Sequence, residues 1–144
     1  MRLVAVFDTN ILFSAVGWKG KPWDCLEMAR AGTVDGVTCR ELLEELAEKL
    51  EIKLSFAPEQ VVETLADFMT FLRVVSIPGT LKAVIADPDD DKVLECAEVA
   101  GATHIVTGDR RHLLPMGNFK GIPVLTAAAF VAIAERELSA GDQG

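Results

Sequence analysis

Asp8, Asp109 and the run of aspartates between Asp87 and Asp91 are the side chains of this sequence best suited to chemistry. Asp8 directly follows the apolar run Leu3-Val4-Ala5-Val6-Phe7, and Asp109 follows Ile105-Val106 and the pair Thr107-Gly108. Asp87-Pro88-Asp89-Asp90-Asp91 precedes and enters a helical pattern. Glu41, Glu44 and Glu45 form another acidic group, in which Glu45 borders Leu42 and Leu46. Carboxylates brought to one place repel each other unless a cation or a proton lies between them. Hard divalent cations such as Mg²⁺ and Mn²⁺ take carboxylate oxygens and water, and need neither His nor Cys. Asn10 offers a further neutral oxygen and Thr107 a hydroxyl. The chemistry that follows is metal-assisted phosphodiester hydrolysis, in which one ion activates a water and a second supports the leaving oxygen. Each group also has a plainer role. Asp8 suits a helix cap, the Asp87–Asp91 run suits the positive end of a helix dipole, and Glu41 and Glu44 suit solvated surface.

The elements around these residues must position them. Leu3 to Phe7 reads as a strand buried on both faces of a parallel sheet. Ile105 to Thr107, Val124-Leu125 and Val74 to Ile77 read as further short strands, and Val34 to Thr38 as a weaker one interrupted by Gly36. Helical patterns run from Trp23 to Ala31, with Pro22 in the first turn and Gly32 at the stop. Others run from Arg40 to about Lys53, from Pro58 to near Arg73, from Asp91 to Ala100, and from Ala127 to about Leu138 behind the cap Thr126. Strands alternating with helices imply βαβ units and an α/β sandwich with a mainly parallel sheet. Such sheets bind ligands outside the carboxyl ends of their strands, where strand order reverses. Asp8 and Asp109 stand at two such ends.

The chain's 144 residues fit one domain, expected over 1–138 with a short tail at 139–144. A hydrophobic half and a charged quarter support a sizeable core and argue against disorder. The net charge of −8 argues against nucleic-acid binding through a broad basic face and against attachment to anionic lipid. It leaves room for a nucleic-acid enzyme whose bound metal supplies the positive charge. The first apolar run stops at Asp8, too short for a signal sequence or a membrane span. Cys25, Cys39 and Cys96 are odd in number and lack CxxC spacing, which points to reduced, buried thiols in a cytoplasmic protein.

Val6-Phe7-Asp8-Thr9-Asn10-Ile11-Leu12, Glu41-Leu42-Leu43-Glu44-Glu45-Leu46, Asp87-Pro88-Asp89-Asp90-Asp91-Lys92-Val93-Leu94 and Val106-Thr107-Gly108-Asp109 occur in that order. With the closing segment Ile122 to Phe130, they resemble the PIN-domain ribonucleases over about residues 3–134. The likeness is to the branch of toxin components of toxin–antitoxin pairs (VapC-like). It implies a PIN-like three-layer α/β/α sandwich and a Mg²⁺- or Mn²⁺-dependent endoribonuclease acting on single-stranded RNA. It also implies an antitoxin partner, a homodimer, a cytoplasmic location and no membrane contact.

Position by position, Asp8 matches the family's first metal-binding aspartate and Asn10 its polar neighbour. Glu45, rather than Glu44, matches the helix glutamate. Asp91 matches the aspartate opening the next helix, with Asp87 and Asp90 as rivals. Asp109 matches the strand-end aspartate after a Thr-Gly pair. The resemblance therefore implies Asp8, Glu45, Asp91 and Asp109 as catalytic residues, a metal on Asp8, Asp91 and Asp109, and support from Asn10 and Thr107. Many relatives carry one more acidic residue just after the last aspartate, where this chain has Arg110, Arg111 and His112.

Substrate contacts are expected from Lys92, Arg110 and Arg111 near the metal, and from Trp18, Lys19 and Lys21 on a glycine-containing segment. Aromatic residues among lysines can stack bases and meet phosphates of a single strand. His104 and His112 are expected to pack or to lie at the surface. The alternative is a catalytically weak PIN-like module that binds RNA or protein without cutting.

Overall fold

The computed structural model of the chain describes residues 2–81 and 88–143. Its strands are β1 (Val4–Phe7), β2 (Asp35–Cys39), β3 (Arg73–Val75), β4 (His104–Val106), β5 (Asn118–Phe119) and β6 (Ile122–Leu125). Its helices are α1 (Thr9–Trp18), α2 (Gly20–Arg30), α3 (Arg40–Leu54), α4 (Pro58–Met69), α5 (Pro88–Ala100), α6 (Leu113–Met116) and α7 (Ala127–Gln143).

Among the described residues the sheet runs in the order β3-β2-β1-β4-β6-β5. β1 pairs in parallel with β2 on one side and with β4 on the other, while β2–β3 and β4–β6 are also parallel. Only β5 is antiparallel, against β6. The chain thus winds outward from β1 to β3, then begins again at β4 on the other side of β1. Strand order reverses between β1 and β4, so their carboxyl ends open the crevice where such sheets hold ligands.

Helices cover both faces, giving the expected α/β/α sandwich. Side chains alternate across the pleat, with Ala5 and Phe7 in one core and Val6 in the other. In the first core Phe7 meets Phe130 edge-on, with ring centroids 6.1 Å apart. In the second, Val6, Val37 and Ile105 share a cluster with Val93, Leu94 and Ala97 of α5. Helix α3 serves both, placing Leu42 in the second core and Leu46 and Leu50 in the first. Glu45 lies between these leucines along the helix and is half-buried.

Gly36 completes β2 rather than interrupting it. A Cβ there would lie 2.7 Å from Leu72 Cδ2 and 3.0 Å from Ala29 Cβ. Glycine is what lets α2 and the segment after α4 close on the strand. β5 has too few residues to leave a periodic signal. The helix opened by Pro58 stops at Met69, because Thr70 and Phe71 turn the chain into β3. α5 begins at Pro88, where a proline suits the first turn. α7 continues through Gln143, beyond the expected boundary at Leu138, since no proline interrupts it. All three cysteines are free and buried, and burial raises the Cys25 thiol to about 12. No helix among the described residues is long and apolar enough to cross a membrane.

Candidate active site

The backbone brings the two strand-end aspartates together. Asp8 N–H donates to Val106 O at 2.9 Å, which fixes Asp8 beside the end of β4. Asp8 Oδ1 accepts from Thr9 N–H at 2.7 Å. Its Oδ2 accepts from Thr107 Oγ1 at 2.7 Å and from Asn10 Nδ2 at 3.2 Å. Asp109 N–H donates to the same Thr107 hydroxyl at 3.0 Å, so one fully buried threonine links both aspartates. Asp109 then accepts from Arg111 N–H at 3.0 Å and from Leu113 N–H at 3.1 Å. Asp8 therefore caps α1 and faces the crevice at once.

These settings separate the two acidities. Burial pushes the Asp8 carboxyl above its ordinary value, hydrogen bonds from Thr107 and Thr9 and the charge of Lys49 pull it back, and Asp109 pushes it up again. Burial also raises Asp109, but the N–H groups of Arg111, Leu113 and His112, with a hydrogen bond to Asp90, outweigh it. Asp109 is held below the usual carboxylate range.

A cleft of about 460 Å³ opens over these strand ends. Asp8, Glu45, Asp90 and Asp109 line it together, with Asn10 at its edge. Glu48, Lys49, Ile52 and Lys53 continue the wall along α3. Glu45 is half-buried and Glu44 exposed, as adjacent helical residues about 100° apart require. Lys92 Nζ lies 3.8 Å from Glu45 Oε1.

On α5 the lining residue is Asp90, whereas Asp91 is buried beside it and is not among the described lining residues. Asp87 lies outside the described residues. Asp90 Oδ2 is 3.0 Å from His112 Nδ1, which in turn is 3.8 Å from Asp109 Oδ2. Ligand atoms of Asp90, Asp109 and His112 all lie within 4.8 Å of one another, close enough to share one metal ion.

Sequence reasoning missed Lys49, Lys53 and His112. The first two left a signal, since they follow Glu45 at four and eight residues and so share its helical face. His112 left none, because its contact with Asp90 depends on the turn after Asp109. Arg110 lines a neighbouring cavity, and Arg111 is exposed, with its backbone N–H on Asp109. Trp18, Lys19 and Lys21 are not among the described residues of the cleft wall. Exposed Trp18 packs against Phe13 with ring centroids 5.5 Å apart, and Lys19 Nζ sits 5.2 Å above the Trp23 ring.

A family model described as the PIN domain matches residues 4–111. The chain belongs to the PIN-domain family. Among solved structures, this PIN domain is similar to VapBC2 from Rickettsia felis, in a crystal structure bound to a DNA fragment from their promoter. That match has 18% identity and a TM-score of 0.62, covering 86% of this chain and 98% of the other. It is also similar to PAE2754 from Pyrobaculum aerophilum, at 16% identity and a TM-score of 0.62, covering 93% and 90% of the two chains. At these identities the likeness speaks for the fold. No curated protein matches the chain.

Proposed function

We propose that this PIN domain is a divalent-metal-dependent endoribonuclease that hydrolyses phosphodiester bonds of single-stranded RNA. The observation that carries the reading is the meeting of Asp8, Glu45, Asp90 and Asp109 in one cleft at the point where strand order reverses. The donor set fits a hard cation, because its carboxylates are buried or half-buried and Asp8 and Asp109 face each other at adjacent strand ends. Asp8, Asp109 and an aspartate of α5 would hold the ion, with Asp90 in the lining and Asp91 as the position the family resemblance favours. Mg²⁺ or Mn²⁺, when bound, supplies an activated water and offsets the charge of the phosphate.

The chain's own residues do the rest. Thr107 aims Asp8 and steadies the backbone of Asp109. Glu45 presents a carboxylate from α3 to the same cleft, where it can accept a proton from attacking water. Lys49 and Lys53 place ammonium groups along α3 for the phosphates on either side of the cut, and Lys92, 3.8 Å from Glu45, helps to orient it.

We further propose that the protein is the toxin half of a toxin–antitoxin pair in the cytoplasm, as a homodimer with an antitoxin protein as partner. The fold likeness to VapBC2 supports this. So does exposed apolar surface at Trp18, Val62 and Met69, suited to protein contacts. The direct experiment is incubation of purified protein with a mixed RNA pool and Mn²⁺, with and without chelator, followed by mapping of the cut ends. Defined ends that vanish with chelator support the reading. Equal cleavage in excess chelator, or RNA binding without cleavage, contradicts it.

A further inference from the structure

A second cavity of about 350 Å³ adjoins the acidic cleft, within the range of roughly 300–1,000 Å³ usual for small-ligand sites. Asn10 lines both and forms the ridge between them. Its Nδ2 donates to Asp8 Oδ2 at 3.2 Å and its Oδ1 accepts Gly108 N–H at 3.1 Å, so the ridge is tied to the ends of both central strands. The two cavities differ in kind. Carboxylates outnumber lysines in the cleft wall, where Asp8, Glu45, Glu48, Asp90 and Asp109 face Lys49 and Lys53, whereas among the described residues no carboxylate lines the second cavity, and Arg110 is its one charged side chain. Pro22 and Leu114 give it apolar walls, and Ser14 and Thr126 give it hydroxyl groups.

In a chain of net charge −8, a carboxylate-free cavity beside the acidic cluster is where a polyanion meets less repulsion than in the cleft itself. Apolar walls suit the flat face of a base, hydroxyls suit its hydrogen-bonding edge, and an exposed guanidinium suits a phosphate or a stacked base. We propose that this cavity is a nucleotide subsite that takes the base next to the scissile phosphate, with Arg110 on the neighbouring phosphate. The inference rests on the ribonuclease reading and adds to it a place where the RNA is read.

Two exposed positions test it. Ala128 lies on the rim in α7, so Ala128→Trp fills the cavity from outside, while Arg110→Glu reverses the charge at its edge. Both variants are assayed with Mn²⁺ on single-stranded RNA for KM and kcat separately, with cut ends mapped. RNA binding is measured by fluorescence anisotropy in Ca²⁺. The expected result is a KM and an RNA dissociation constant each raised by about tenfold or more, with a smaller change in kcat. Base preference on one side of the cut should relax in Ala128→Trp. The rise in melting temperature on adding Mn²⁺ should match wild type, showing that the cleft is intact. Arg110→Glu, at an exposed side chain, keeps the test valid if Ala128→Trp disturbs α7. Wild-type KM, binding and cut-site preference in Arg110→Glu would overturn the subsite and leave the nuclease reading standing. Failure of the wild-type protein to cut RNA with Mn²⁺ would overturn both.

Discussion

At the amino end of the sheet Arg73 holds Asp35 at 2.9 Å, and nearby Arg30 grips Asp67 with two contacts of 2.8 and 2.7 Å. At the carboxyl end Asp8, Glu45, Asp90 and Asp109 gather around one cleft, and the cations in its wall are lysines on long stems. The first arrangement neutralises each carboxylate with a guanidinium made for it. The second gathers several carboxylates at one opening, where backbone N–H groups and a threonine direct Asp8 and Asp109 while Lys92 stands by Glu45 and His112 by Asp90. Pairing of the first kind adds a little stability and nothing to chemistry. Gathering of the second kind costs stability in the absence of a cation and is the usual mark of a functional site.

The sharpest way to break this contrast is to remove a charge from each region. Asp109→Asn should lower RNA cleavage by more than the roughly 10–100-fold that loss of a partner supporting a metal ligand costs. A variant retaining near wild-type kcat would show that the gathered carboxylates are not the working ones. Glu45→Gln should likewise cost at least about tenfold and Glu44→Gln almost nothing, because Glu45 lines the cleft and Glu44 is exposed. Equal losses, read in the same assay, would remove α3 from the site.

Stability gives the next effect in size. The folded state holds the Asp8 proton more tightly than the unfolded state, since the Asp8 carboxyl is raised by burial. Without metal, the Asp8 contribution to stability should therefore be greatest below the ordinary carboxylate value of 3.8 and fall as pH rises through the raised folded value. Asp8→Asn, neutral at every pH, should remove that fall. At neutral pH in chelator it should melt at the wild-type temperature or about 1–4 °C above it. Asn caps as well as Asp, so a lower melting temperature of Asp8→Ala by the same amount in chelator and in Mg²⁺ is the result that would make Asp8 chiefly a cap of α1.

The smallest effect belongs to the paired region. Asp67 is held below its ordinary value by its hydrogen bonds to Arg30, so its contribution should be present above the unfolded value and lost as pH falls through the folded one. The pair is half exposed, and Asp67→Asn should cost less than about 1 kcal/mol in denaturant titration and leave cleavage unchanged. A change in cleavage would show that the two regions are not independent.

Much of this contrast is legible in the sequence. Buried parallel strands read as unbroken apolar runs, so β1 and β4, and with them Asp8 and Asp109, stand out. Glu45 follows from the stripe of Leu42 and Leu46, which fixes the face of α3. The choice between Asp90 and Asp91 is not legible, because adjacent residues at a helix start differ only by the angle at which the helix enters. That angle is set by packing of Val93 and Leu94 on the sheet. The role of Gly36 is hidden for a similar reason, since its neighbours Leu72 and Phe7 come from distant parts of the chain. The contact of His112 with Asp90 and the cavity beside Asn10 arise only when turns from separate strands meet.

The most direct test of the central claim, that the gathered carboxylates hold a divalent cation, is melting of wild type, Asp8→Ala and Asp109→Asn in chelator and in Mg²⁺. An ion that binds only the folded state stabilises it by mass action, by about 2.7 kcal/mol at one hundred times its dissociation constant. A clear upward shift with Mg²⁺ is expected for wild type and a much smaller one for both variants. An equal shift in all three would contradict the claim, because the ion would then be bound somewhere other than the ends of β1 and β4.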